Sequence, residues 1–208
     1  MNTFRQSADK IKMARATVAT RGQRLVAGIP CQKFIYTDPS YLYPCTLQIA
    51  PDNWLITQPF AALNPDGTFE IIPPSNSGTL DDMMLHPVWT TDYRSGLTDS
   101  EGGDWLDGFL PKIGQYSAAW VRHDKGYCSQ LKSKAETDWQ LLQDLQDLGA
   151  NWLQRNAAWA TVKLAGNSIW SAHTPADLLP MRQLCAQFQS GWQVQNGMLV
   201  TILIPAVP

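Results

Sequence analysis

Residues 114–138 read G-Q-Y-S-A-A-W-V-R-H-D-K-G-Y-C-S-Q-L-K-S-K-A-E-T-D and carry the most informative chemistry in the chain. If residues 114–131 form a helix, a set of aromatic and imidazole side chains recurs at steps of four, three and four residues and shares one face. The members of this set are Tyr116, Trp120, His123 and Tyr127. The pattern therefore predicts that His123 points inward.

A second helix is predicted over residues 133–149, because S-K-A-E is a capping-box pattern in which Ser133 and Glu136 satisfy the first backbone N–H groups. Asp138 falls on the apolar stripe of this helix, on the same face as Leu141 and Leu145. A buried carboxylate costs several kcal/mol unless it has a partner. His123, on the preceding antiparallel helix, is the partner that we predict.

The composition is typical of a globular protein. The chain has 208 residues, of which 44% are hydrophobic and 16% are charged. Its four cysteines form no C-x-x-C pair, which argues against a zinc knuckle or a disulfide framework. No apolar run is long enough to cross a membrane, and no signal peptide is recognisable, so we expect synthesis in a cytoplasm.

The first 30 residues are predicted to form a basic N-terminal helical arm. Residues 1 to about 27 carry an apolar seam with a seven-residue spacing, and Lys and Arg outnumber acidic residues strongly. The seam consists of Phe4, Ile11, Val18 and Leu25. Such an arm can dock on another protein. Nucleic acid is not favoured as a partner, because aromatic residues do not interleave with the charges.

The remaining residues, 31–208, are predicted to form a single α+β domain. Short β-type runs at 33–36, 45–50, 54–60 and 68–73 predict strands of an antiparallel meander, and 74–110 form an acidic, Gly-rich loop. A helical core over 111–170 follows, with helices at 114–131, 133–149 and 151–166. Residues 171–208 are predicted to contain a helix near 175–189 and a strand at 198–204. The fold class is thus α+β: a small antiparallel sheet packed by three or four helices, with an N-terminal helical arm.

Several motifs resemble a bacteriophage and prophage family catalogued as domain of unknown function number thirteen fifty-three. Thr91, Asp92 and Ser95 match its T-D-x-x-S element, and the helix at 114–131 matches its G-x-Y-x-x-A-x-x-x-H-D-x-x-Y pattern. A-E-T-D, ending at Asp138, stands near the family's A-x-x-D element. The resemblance implies a phage setting, because members of the family occur among virion and lysis genes. Our first hypothesis is a protein of the virion, at the tail or baseplate, made in the host cytoplasm. Its partners would be other virion proteins, reached through the arm and through Trp-rich surfaces.

The H-D-x-x-Y element also resembles the arrangement in secreted phospholipase A2. The resemblance implies that His123 activates water as a general base, that Asp138 orients the imidazole and that Tyr127 bonds the carboxylate. Asp124 would bind a cation, and the acidic loop offers Asp99 and Asp104 as further oxygen ligands suited to calcium. The implied activity is hydrolysis of a component of the host envelope, phospholipid or peptidoglycan.

Three other interpretations stay open at this stage. His123 and Asp138 could be a buried pair that pins two helices, with Asp124 exposed. His86, Asp92 and His123 could form a three-ligand zinc site, with His173 a loop residue. The protein could also be a cytoplasmic anti-defence or regulatory factor, which would be absent from purified particles.

Overall fold

The computed structural model of the protein describes residues 23–26, 29–93 and 114–202. It is an α+β fold, as predicted, but its strands form several small antiparallel sheets. Its strands are β1 (Gln23–Val26), β2 (Ile29–Gln32), β3 (Phe34–Tyr36), β4 (Thr46–Ala50), β5 (Asn53–Ile56), β6 (Phe60–Leu63), β7 (Phe69–Ile72), β8 (Trp192–Gln195) and β9 (Met198–Thr201). Its helices are α1 (Leu80–Leu85), α2 (Ser117–Ser129), α3 (Lys134–Asp147), α4 (Trp152–Ala172) and α5 (Pro175–Gly191).

The largest sheet has the order β3-β6-β7, with β6 in the centre. All four residues of β6 are buried, and Ile71 and Ile72 of β7 join them in the core. The predicted meander, in which each strand pairs with the next one along the chain, is wrong. β4 and β5 form a hairpin apart from this sheet, and β3 skips them to pair with β6. The predicted strand over 54–60 is in fact two strands, β5 and β6, separated at Pro59, which has no N–H to donate to a ladder.

The predicted arm helix is contradicted at its C-terminal end. Gln23–Val26 is a strand that pairs antiparallel with Ile29–Gln32, so the backbone groups of both segments are satisfied by a hairpin. Leu25, the last residue of the seven-residue seam, thus lies in a strand. Residues 1–22 lie outside the described part of the chain.

The helices confirm the predicted core closely. α2 lies at the centre: it packs against α3 and α5, while α3 packs against α4 and α5 packs against β7. Most of the side chains of α2 are buried, including polar ones, so this helix is enclosed by the rest of the fold. α4 runs six residues beyond the predicted end at 166, because Gly166 is tolerated inside the helix.

Besides the β1–β2 hairpin, two further elements were not predicted. α1 lies within the predicted loop; at six residues it is too short to show a helical period, although Thr79 and Asp82 form a capping box at its start. β8 pairs with β9 after α5. No helix in the described residues is long and apolar enough to cross a membrane.

Candidate functional site

The close approach of α2 and α3 brings the predicted residues together. The turn between them ends α2 at Gln130, in the left-handed conformation, and starts α3 with the predicted capping box of Ser133 and Glu136. Where the helices cross, a Cβ added to Gly126 would lie 2.5 Å from Cγ2 of Thr137. Glycine therefore allows a separation between the two helices that a larger residue would prevent.

His123 and Asp138 are in contact across this crossing. Nε2 of His123 lies 2.9 Å from Oδ1 of Asp138, and both residues are buried. The hydroxyl of Tyr127 donates to the same carboxylate oxygen at 2.9 Å. Lys134, which was not predicted, donates to the other oxygen at 2.6 Å. The structure thus assembles the three predicted residues His123, Asp138 and Tyr127, and their catalytic roles stay a prediction.

Asp138 is an ionised acceptor in this cluster. Burial alone would raise its pKa, but hydrogen bonds from His123, Lys134 and Tyr127 outweigh burial and hold the pKa below its usual range. The same surroundings act in the opposite direction on Tyr127. Burial and the neighbouring carboxylate raise the pKa of the Tyr127 phenol, so the hydroxyl remains a donor.

Asp124 lies on the other side of His123, 4.0 Å from its Nδ1 at the nearest oxygen. It is largely buried, with 12% of its side chain exposed, so the expectation of an exposed Asp124 is wrong. Burial, followed by the charge of Asp92, raises the pKa of Asp124 well above its usual range. Hydrogen bonds from Thr91 and from the backbone N–H groups of Asp92 and Tyr93 only partly offset this effect.

The Thr91-Asp92 segment of the T-D-x-x-S element is held against β5 by its backbone. Thr91 exchanges two backbone hydrogen bonds with Trp54 of β5, at 2.8 and 3.0 Å. The next residues turn tightly, with Tyr93 at φ 62 and its N–H donating to the Thr91 hydroxyl. This turn directs two backbone N–H groups at the Asp124 carboxyl. Ser95 lies outside the described residues.

These groups surround a cavity of about 310 Å³. His123, Asp124 and Asp92 line it, while the apolar part of the wall includes Trp120 and Val162. The indole N–H of Trp120 is buried and has no hydrogen-bond partner among the described residues.

Two residues of the cavity were not anticipated. Cys128 lines it, but burial and then the charges of Asp124 and Asp92 raise the pKa of the thiol to about 12. The thiolate nucleophile is therefore disfavoured. His173, expected to be a loop residue, is the C-cap of α4 and also lines the cavity. The helical phase of α4 could have placed it near Ile169, which lines the same wall.

The zinc set is not assembled. His86 is the exposed C-cap residue of α1 and does not line the cavity that His123 and Asp92 share. Across the described residues, no three His, Cys, Asp or Glu side chains are grouped as metal ligands. Of the predicted calcium ligands, Asp99 and Asp104 lie outside the described residues, and the carboxyl of Asp124 is already engaged by three donors.

No family, curated protein or solved structure matches the chain. The resemblance to the phage family therefore rests on the quoted motifs and stays a prediction.

Proposed function

We propose that this protein is a hydrolase in which His123 is the general base and Asp138 orients it. One observation carries the proposal: the imidazole of His123 bridges the Asp138 carboxylate, at 2.9 Å, and the cavity. An ionised carboxylate only accepts hydrogen bonds, so Asp138 fixes the tautomer with the proton on Nε2. The lone pair of Nδ1 is then free to take a proton from water.

Asp124 is suited to the complementary role of general acid. Burial and then the charge of Asp92 raise its pKa well above the usual range, which favours the protonated carboxyl, and its nearest oxygen lies 4.0 Å from the Nδ1 that would receive the proton of water. Asp92 contributes by its negative charge, which strengthens the hold of Asp124 on the proton.

The reaction that this arrangement would perform is a direct displacement by water. The oxygen of water attacks the electrophilic atom of an ester or amide while Nδ1 of His123 takes its proton. The bond to the leaving oxygen or nitrogen breaks, and the leaving atom takes the proton of Asp124. Proton exchange with solvent then restores both groups. Cys128 takes no part, because the raised pKa of its thiol disfavours the thiolate.

The substrate classes predicted for the host envelope can be tested directly. The purified protein is incubated with phospholipid vesicles and with cell-wall sacculi, and the released fatty acid or peptide is measured. His123→Gln should lower a detected activity by about 10²–10⁴-fold, the usual contribution of a general base. His86→Gln is the matched control, because His86 is exposed and outside the cavity. Equal activity of wild type and His123→Gln would refute the proposal.

Calcium remains a proposal for the same site. The ion would be held by Asp124 with Asp99 and Asp104, and it would supply positive charge to polarise the substrate. It would have to displace the proton and the Thr91 hydrogen bond of Asp124, so binding should strengthen as pH rises. Calorimetric titration with CaCl₂ tests this, with Asp124→Asn as the variant that should lose the heat. A lack of heat in wild type at pH 8 would refute calcium binding.

We propose as a second, compatible role that the protein is attached to a bacteriophage particle, at the tail or baseplate. Two exposed tryptophans favour contact with another protein: Trp139 on α3 is 60% exposed and Trp152 at the start of α4 is 69% exposed. Mass spectrometry of purified particles should detect the chain. Its absence would favour the cytoplasmic regulatory role instead. If the role is purely structural, His123→Gln should leave particle assembly and infectivity intact, whereas a tail-borne enzyme should lose infectivity.

A further inference from the structure

A groove of about 400 Å³ is lined by one face of α3 and by the turn that joins β6 to β7. It shares no residue with the cavity at His123, so it takes no part in the proposed hydrolysis. Its volume lies within the range of small-molecule sites in proteins. Within about two turns, the helix contributes Glu136, Trp139, Gln140 and Gln143, while the turn contributes Asn64, Pro65 and Asp66.

Two carboxylates at the edge of the groove are held in place by hydrogen bonds to one of their oxygens. Oδ1 of Asp66 accepts from the hydroxyl and the backbone N–H of Thr68, at 2.6 and 3.0 Å. Oε2 of Glu136 accepts from the same two groups of Ser133, at 2.6 and 2.8 Å. These hydrogen bonds lower the pKa of both carboxyls, so both are ionised acceptors. Their other oxygens accept nothing from another described residue and remain for a ligand.

Amide side chains add donors as well as acceptors to the lining. Gln143 is partly exposed, and its amide makes no hydrogen bond with another described residue. Gln140 accepts from Lys132 at 3.0 Å, and its NH₂ group makes only a long contact of 3.5 Å with Asn64. Amides that can donate and accept suit hydroxyl groups, which do the same.

Charged ligands are disfavoured in this groove. Of the two cations in its described lining, Lys33 is buried and lies 2.8 Å from Asp144, also buried. The other, Lys132, contacts Glu70 at 3.2 Å besides Gln140. An anion would have to compete with these contacts and would face the two edge carboxylates. A cation would be opposed by Lys132, whose positive charge already acts on both of those carboxylates.

Trp139 places a large apolar ring within this polar lining. Its side chain is mostly exposed, as is that of Trp152, but the surroundings of the two differ. Trp152 is followed by the exposed Leu153, and such an apolar pair suits contact with another protein. Besides Trp139, the described lining of the groove has one apolar side chain, Pro65. The groove therefore suits a ligand with a flat C–H surface and many hydroxyl groups.

A pyranose ring has this combination, because its axial C–H bonds form an apolar face and its hydroxyl groups lie around its edge. We infer that the groove binds a neutral oligosaccharide, with one pyranose ring stacked on Trp139. Its hydroxyl groups donate to Asp66 and Glu136 and bond to the amide of Gln143. Because both carboxylates are already held in place, binding loses little side-chain freedom at these positions. Trp152 remains for the protein contact proposed above.

Isothermal calorimetry with two neutral tetrasaccharides, cellotetraose and tetra-N-acetylchitotetraose, tests the inference. Both present flat C–H faces, and their comparison shows whether acetamido groups add affinity. Wild type should bind at least one of them with a Kd of about 1 mM or lower. Trp139→Ala removes the stacking surface and should weaken that binding about 10-fold or more. Trp152→Ala removes a tryptophan of similar exposure outside the groove, so it is the matched control and should bind like wild type.

Gln143→Ala is a second variant that preserves the fold. Alanine favours a helix, and the amide has no partner to lose among the described residues, so the unfolding midpoint should stay the same or rise. Binding should weaken about 2–10-fold, the equivalent of one hydrogen bond.

The absence of binding heat with both tetrasaccharides would overturn the inference, and it is the result expected if Trp139 contacts a protein instead. Equal binding by wild type and Trp139→Ala, or an equal loss in Trp152→Ala, would overturn it as well. None of these results bears on hydrolysis at His123, whose variants are assayed separately.

Discussion

Replacement of Asp138 is the most direct test of the polar cluster between α2 and α3. Asp138→Ala removes the acceptor of three hydrogen bonds, from His123, Tyr127 and Lys134. His123 and Tyr127 are at most 7% exposed, and each group left unpaired costs about 1–3 kcal/mol. Lys134 is 17% exposed and can reach solvent, so it adds little. We expect a loss of about 3–5 kcal/mol in the free energy of unfolding, the range for a broken buried pair.

Asp138→Asn separates the hydrogen bonds from the charge. The amide oxygen can still accept from His123 and Tyr127, but the NH₂ group would face the Lys134 ammonium, so we expect a loss of about 1–2 kcal/mol. Because the folded pKa of Asp138 lies below the unfolded one, its charge stabilises the fold above about pH 4. The difference in the free energy of unfolding between wild type and Asp138→Asn should therefore shrink as pH falls below about 4.

Urea unfolding at pH 7 measures these losses, with Asp81→Ala on exposed α1 as a control that should stay within about 0.5 kcal/mol of wild type. Imidazole ¹⁵N chemical shifts report the tautomer, and the chain has only three histidines to assign. We expect the Nε2–H form of His123 in wild type and a mixture in Asp138→Ala. A loss below about 1 kcal/mol in Asp138→Ala, or the Nδ1–H form in wild type, would refute the reasoning.

Three further substitutions test other parts of the fold. Gly126→Ala should lower stability by about 1–2 kcal/mol in thermal unfolding, because the new methyl group meets Thr137; a raised midpoint would contradict this. Asp124→Asn should gain stability relative to wild type as pH rises above about 4, by up to about 1.4 kcal/mol per pH unit, because the raised folded pKa makes ionisation costly. Denaturation at several pH values measures it, and a flat difference would exclude the raised pKa. Asp144→Asn should cost about 3–5 kcal/mol in urea unfolding, because Arg122 is buried; a loss below 1 kcal/mol would show that Arg122 does not depend on this carboxylate.

The local part of the fold was accessible from the sequence. Helical periodicity depends on residues three or four apart, so the sequence predicted α2 and α3. The capping box also spans only four residues, so the sequence predicted the start of α3 at Ser133. The same local rule put His123 and Asp138 on facing stripes. Their contact at 2.9 Å follows from two helical phases and a short turn.

Features that join distant segments were not accessible in the same way. β3 pairs with β6, although the β4–β5 hairpin lies between them in the sequence. This pairing joins segments that are not neighbours in the chain, so local sequence patterns do not reveal it. Thr91 reaches Asp124 across 33 residues, so the burial of Asp124 could not be inferred from its helical position alone.

The sequence by itself determined the α+β class, the central helices and the buried His123–Asp138 pair, because these depend on periodicity and capping over a few residues. Tertiary structure decided which charges are shared and which cavities exist. Glu70 meets Arg122 only after β7, α2 and their neighbours have packed. Electrostatic pairing and cavity shape depend on distances between segments far apart in the chain, and spacing along the chain does not encode those distances.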